Sequence, residues 1–175
     1  MNMCKYWTVL AQNDGFDGVY FIFRYDDKMK GGDDNYFKYE PLYSGWTAHN
    51  LKERIVSKIE RNIRGFGKLM VYDYDQIWTN IIRNAEKDSL RNIYHGCFVS
   101  YDDTPRRGNR GVFVKNASAE KFAYYLEKLL DISEQQGKEF VFLTAWNEWG
   151  EGAFLEPDQI NNFNYLKSVE EVISK

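Results

Sequence analysis

Four short apolar, β-prone runs separated by helical stripes constrain this chain more than any other feature. Val19-Tyr20-Phe21-Ile22-Phe23 is a continuous run of the kind expected for a strand buried on both faces. Lys68-Leu69-Met70-Val71-Tyr72, the segment Tyr94 to Ser100, and Phe140-Val141-Phe142-Leu143-Thr144 read as three further strands. Helical patterning surrounds them. Lys5 to Asn13 reads as the tail of a helix ending near Asn13-Asp14-Gly15, and Arg24 to Asn35 as a polar, glycine-containing loop. Ala48 to Ile63 places Leu51, Ile55, Val56, Ile59 and Ile63 at helical spacing, and a further helical stretch runs from about Gln76 to Ala85. Ser118 to Gln135 is the clearest helix: Ser118 can cap it, and Phe122, Tyr125, Leu126, Leu129 and Ile132 form one stripe. Asn162 to Ile173 reads as a closing helix. Such alternation calls for a parallel sheet with helices packed outside it. A (β/α)8 TIM barrel takes eight units and about 250 residues. Four units in 175 residues therefore predict an α/β half-barrel, one partial domain spanning 1–175.

Charge and composition exclude several functions. A net charge of -3 and a pI near 5.5 leave no basic patch for nucleic acid. No stretch reaches the roughly 18 apolar residues of a membrane span, and the first residues lack a signal pattern. Cys4 and Cys97 are too few and too far apart for a disulfide framework, so a cytoplasmic location is the default. Cys97, in an apolar strand, reads as a small buried hydrophobe. His49 and His95 stand apart from ligand-like neighbours, and neither a metal nor a cofactor is expected. Aromatics at 17% suit a core as well as a sugar site, so their abundance decides nothing.

The placement of polar residues says more. In parallel α/β folds functional groups lie just past the carboxyl ends of strands. After the four runs come Arg24-Tyr25-Asp26, then Asp73-Tyr74-Asp75, then Asp102, Asp103 and Arg106, and last Trp146-Asn147-Glu148-Trp149-Gly150-Glu151. Tyr72 and Asp73 are either substrate-subsite residues or the start of a polar loop. Arg106 either binds a sugar or phosphate group or pairs with Asp102 or Asp103. The basic residues of Lys52 to Arg64 read as a solvated helix face.

Glycosidic chemistry normally takes two carboxyl groups, one to protonate the leaving oxygen and one to act from the other side. Glu148 and Glu151 are three residues apart. On a helical turn they share a face about 5–6 Å apart, which suits a retaining geometry; on an extended segment they point to opposite sides. The plain alternative is two surface carboxylates in a solvated loop. Against it stand the flanking tryptophans, the buried run before them, and Gly150 and Gly152, which let a substrate approach. Asn147 can hydrogen-bond a sugar hydroxyl, and Trp146 or Trp149 can form a stacking floor.

These residues carry a family resemblance. The run Phe142 to Asp158, containing Ala145-Trp146-Asn147-Glu148-Trp149-Gly150-Glu151-Gly152, resembles the signature of the WbsX-type glycosyltransferases, proteins of bacterial cell-surface polysaccharide gene clusters related to glycoside hydrolase family 99. Tyr101-Asp102-Asp103-Thr104-Pro105-Arg106-Arg107 resembles the family's aromatic-Asp-Asn-Thr-Pro-Arg motif, with Asp103 in place of Asn. Phe37-Lys38-Tyr39-Glu40-Pro41 resembles its aromatic-Glu-aromatic-Pro element, so Glu40, Asp102 and Arg106 join the candidates for substrate contact. The resemblance runs from about Tyr6 to Leu166. It implies a family 99-like (β/α)8 barrel acting without a cofactor on a sugar or polysaccharide, by glycosyl transfer in lipopolysaccharide, O-antigen or capsule biosynthesis, or by endo-hydrolysis of α-mannoside-like linkages. Its implied mechanism is retaining, with Glu148 as base on the sugar's 2-hydroxyl and Glu151 as acid/base. Full-length relatives begin with a further stretch whose motifs are absent here. The chain therefore corresponds to the second half of the barrel, and three situations are expected: a truncated product, a partner supplying the amino-terminal half, or self-association of two copies. The function classes that follow are an enzyme, a sugar-binding remnant, and an inactive fragment.

Overall fold

A computed structural model of the chain describes residues 3–26, 34–45, 69–88 and 92–175. In chain order its elements are α1 (Met3–Asn13), β1 (Ile22–Arg24), β2 (Asn35–Phe37), β3 (Met70–Asp73), α2 (Tyr74–Lys87) and β4 (Ile93–Phe98). There follow the one-turn α3 (Thr104–Arg107), β5 (Val112–Lys115), α4 (Ala119–Gln135), β6 (Val141–Thr144), β7 (Asn147–Glu148), β8 (Ala153–Phe154) and α5 (Asn164–Ile173). The architecture is mixed α/β, built on a curled parallel half-barrel sheet. Its strands run β1-β2-β4-β6, every neighbouring pair parallel. β3 and β5 form a separate two-stranded parallel sheet, and β7 and β8 an antiparallel hairpin.

β4 is the axis of the fold. All six of its residues are buried, since it has a strand on either side and helices over one face. α2 and α4 supply most of that cover. Asp73 caps α2 by accepting from the Asp75 amide at 3.1 Å, and Ser118 caps α4 by accepting from the Lys121 amide at 3.3 Å. The expected stripe on α4 delivers Phe122, Leu126 and Leu129 to the core, with Tyr125 and Ile132 packed at its margin. Trp78 of α2 lies at the centre, wholly buried, its ring stacked on Phe98 (5.6 Å) and Tyr125 (5.3 Å). Cys97 is a buried free thiol, as expected.

The strand inventory needs correcting. The second apolar run forms β3, but β3 pairs with β5 outside the main sheet. The neighbour of β1 is β2, which begins at the end of the segment read as a loop and ends at the start of the Phe37 to Pro41 motif. β2 and β5 are three and four residues long, too short to show as continuous apolar runs. The first run is likewise shorter than expected and not buried on both faces: only Ile22 to Arg24 pairs, while Val19, Tyr20 and Phe23 are exposed. Among the described residues β1 has a neighbour on one side only, and an edge strand lacks the cover that full burial requires. The expected helix Ala48 to Ile63, the basic face of Lys52 to Arg64, His49 and Lys68 lie outside the described residues. Among those described, no helix is long and apolar enough to cross a membrane.

Candidate functional site

The chain leaving β6 turns at once into the β7–β8 hairpin. Asn147 and Glu148 pair with Phe154 and Ala153, and a 3₁₀ turn, Trp149–Glu151, joins the two strands. Glu148 ends β7 and occupies the cap position before that turn, with φ -82° and ψ 71°, and Glu151 is the last residue of the turn. Gly152 closes the turn in the left-handed conformation (φ 55°), which permits a contact that a side chain would obstruct: a Cβ there would meet Asp102 atoms at 3.0–3.2 Å. The hairpin is fastened at that point, with the Asp102 amide donating to the Glu151 carbonyl at 2.7 Å and the Ser100 hydroxyl donating to the Gly152 carbonyl. The ends of β4 and β6 are thereby tied together. Trp146 and Trp149 are about half exposed, and Asn147 and Glu148 are exposed.

The segment after β2 contributes the residue that sequence reasoning passed over. From Asn35 to Glu40 burial alternates, with Tyr36, Lys38 and Glu40 enclosed and Asn35, Phe37 and Tyr39 on the opposite side. Phe37 contacts Phe142 of β6 (ring centroids 4.9 Å) and Tyr39 (6.4 Å). Tyr39 feels both candidate glutamates: burial first, then the charges of Glu151 and Glu148, raise its phenol above the ordinary value, while Arg24 acts in the other direction. The Arg24 guanidinium sits over its ring at 5.2 Å. Glu148, Glu151, Tyr39 and Arg24 therefore belong to one electrostatic neighbourhood at the carboxyl ends of β1, β2 and β6. The signal for Tyr39 was its parity with Phe37 in the strand period.

Glu40 lies on the enclosed side, 1% exposed, accepting from the Ser44 amide at 2.8 Å and from the Ser44 hydroxyl. Burial pushes its carboxyl up to about 7, against the Ser44 hydrogen bonds and the Lys38 charge, which pull it down. A raised carboxyl favours the folded state while protonated, so its contribution is present below 4.5 and is lost as pH rises through about 7. Glu40→Gln is expected to remove that loss, on the order of 3 kcal/mol. Urea midpoints of wild type and variant, compared at pH 5 and pH 8, should converge at the lower pH and diverge at the higher. Near it lies a buried polar group: Lys38 pairs with Asp88 at 2.9 Å, Lys138 donates to the Ile93 carbonyl at 2.6 Å, and His95 Nδ1 meets Ser133 Oγ at 2.9 Å. Burial first, then Lys138 and Lys38, press His95 down to about 3; its contribution has the opposite sign, present above 6.5 and fading as pH falls. Comparison with the variant isolates the Glu40 slope from it.

Arg106 corrects an expectation. It pairs with Glu151, not with Asp102 or Asp103; Arg107 takes Asp103, at 3.1 Å. The side chain of Asp102 is turned to its own loop, accepting from the Thr104 amide (2.9 Å) and hydroxyl (2.6 Å). Tyr72 and Asp73 end β3 on the side sheet, where Asp73 caps α2 and accepts from Asn116 Nδ2 at 2.7 Å. Among the described residues no cluster of three or more His, Cys, Asp and Glu side chains is arranged to hold a metal ion.

Three sequence segments thus converge at one end of the sheet: Lys38 to Pro41 after β2, Tyr101 to Arg107 after β4, and Trp146 to Gly152 after β6. A sequence profile for the family described as "Glycosyltransferase WbsX" matches residues 1–169. The chain belongs to the WbsX glycosyltransferase family. Two relatives from strains of Xanthomonas campestris pv. campestris, both named "Uncharacterized protein WxcX", are 29% identical over 103 residues, covering 56% of this chain. The chain spans 15% of the length of those relatives. No solved structure matches it. In this WbsX-family domain the three segments share the carboxyl end of the parallel sheet.

Proposed function

We propose that this chain is part of a (β/α)8 barrel that transfers glycosyl groups in bacterial cell-surface polysaccharide biosynthesis, with retention of configuration and with Glu148 and Glu151 as its two carboxyl groups. The observation that supports the reading is that both glutamates, one before and one at the end of the 3₁₀ turn that follows β6, act electrostatically on Tyr39. Close carboxyl groups suit retaining chemistry, since an inverting pair leaves room for a water between them. Glu148 acts as base on the sugar's 2-hydroxyl, and Glu151 first protonates the leaving oxygen and then deprotonates the acceptor. An ion-paired carboxylate has no proton to give, so Arg106 must swing away from Glu151 as the leaving group enters. Half exposed, its side chain is free to do so. Trp146, Trp149 and Asn147 supply stacking and a hydrogen bond to the sugar. The remaining strands of the barrel pair at the β1 and β6 edges.

Hydrolysis of an α-mannoside-like linkage uses the same groups and differs only in admitting water in place of an acceptor hydroxyl. The test is the anomeric configuration of the first-formed product, read by proton NMR on the domain in its native chain. Retention is expected for either outcome, and inversion overturns the close-pair assignment.

A further inference from the structure

Beside the candidate glutamates, the loop following the hairpin builds a second concave surface. Pro157 to Asn161, together with Trp149 and Phe154, encloses a cleft of about 550 Å³. Its floor is fixed from within. Trp149 stacks on Phe154 with centroids 3.9 Å apart and rings inclined 20°, and its indole Nε1 donates to Glu156 at 2.8 Å. The wall is held by Asp158, whose carboxylate accepts from the Ile160 amide at 2.6 Å and from Asn161 Nδ2 at 2.7 Å. Burial pushes the Asp158 carboxyl up, but the Asn161 amide, the Asn161 side chain and the Ile160 amide together hold it below its ordinary range. Ile160, 88% exposed, projects at the rim.

Ile160 and the half-exposed Trp149, with Phe154 and Pro157, give this cleft an apolar lining that a ligand can cover. We propose that this cleft is a second carbohydrate subsite, one that takes a neutral pyranose of the acceptor or of the growing chain next to the sugar at Glu148 and Glu151. The inference rests on the carbohydrate reading above and adds to it the class of sugar. A pyranose matches the lining because its C–H face packs on flat apolar surface while planar amides, here Gln159 and Asn161, meet its hydroxyls. Neutrality follows from charge. Among the described residues no lysine or arginine lines the cleft, and the Asp158 carboxylate repels a uronate or phosphate.

The test is an NMR titration of the whole chain with mannotriose, a neutral trisaccharide, and with trigalacturonate, an acidic one. Mannotriose is expected to shift the side-chain amides of Gln159 and Asn161, which lie outside the catalytic hairpin, in a saturable way, and trigalacturonate to leave them in place. Ile160→Asp should weaken mannotriose binding about tenfold through loss of apolar contact. Glu148→Gln and Glu151→Gln should leave these shifts unchanged, so failure of the catalytic assignment is told apart from failure of the subsite. Absence of movement with mannotriose, equal movement with trigalacturonate, or loss of the shifts in the glutamate variants each overturns the proposal. Should Ile160→Asp fail to fold, the shift map of the wild-type chain decides alone.

Discussion

Glu148→Gln and Glu151→Gln are each expected to abolish turnover while leaving the fold and sugar binding intact. Glutamine keeps the size and the hydrogen-bonding carbonyl of glutamate but can neither accept nor deliver a proton at its amide under these conditions. A positioned acid or base typically contributes about 10²–10⁴-fold in rate, and losses in that range are expected for each variant. The two losses should not multiply in the double variant, because groups that act as a unit fail together. Little structural damage is expected. Glu148 is exposed on the hairpin, and the hairpin is fastened to the β4 end through the Glu151 backbone carbonyl, not its side chain. Initial rates of sugar release or transfer, beside near-ultraviolet circular dichroism, provide the check. A variant that keeps more than about a tenth of wild-type activity removes that residue from the chemistry.

Trp78→Ala is expected to destabilise the domain by about 3–5 kcal/mol, the usual cost of emptying a large aromatic site in a packed core. Trp78 has 0% exposure and sits among four rings, with Tyr74 and Phe122 at 6.2 and 6.3 Å in addition to Phe98 and Tyr125. Those rings come from α2, β4 and α4, so the cavity would loosen the contact of both helices with the central strand. A loss of that size is a large fraction of the 5–15 kcal/mol by which domains are ordinarily stable. Urea unfolding followed by circular dichroism should show a much lower midpoint. A midpoint shift equivalent to less than about 1 kcal/mol would mean that the aromatic cluster does not anchor the layers.

Local patterning was enough to announce α2, α4 and α5 and the family. Ser118 followed by the Phe122, Leu126 and Leu129 stripe forms α4 because a cap and a helical apolar period act within a few turns of chain. The run through Glu148 and Glu151 was legible for a related reason: tryptophan, asparagine, glutamate and glycine crowded into eight positions is uncommon enough to mark a family. Strand partners are another matter. Whether Met70 to Asp73 joins the main sheet or a side sheet depends on hydrogen bonds to residues about forty positions away, which no local window contains. The same holds for the partner of Arg106, since Glu151 and the acidic pair Asp102 and Asp103 are equally plausible by charge. Only the anchoring of the hairpin through the Asp102 amide and the close approach of Gly152 brings the Glu151 carboxylate within its reach. Tyr39 entered the neighbourhood, and Glu40 left it for the interior, through the two-residue period of an extended segment whose register is set by pairing with β4. Chemistry-bearing residues announce themselves by type and spacing; which of them meet is a long-range question, answered by strand register and packing.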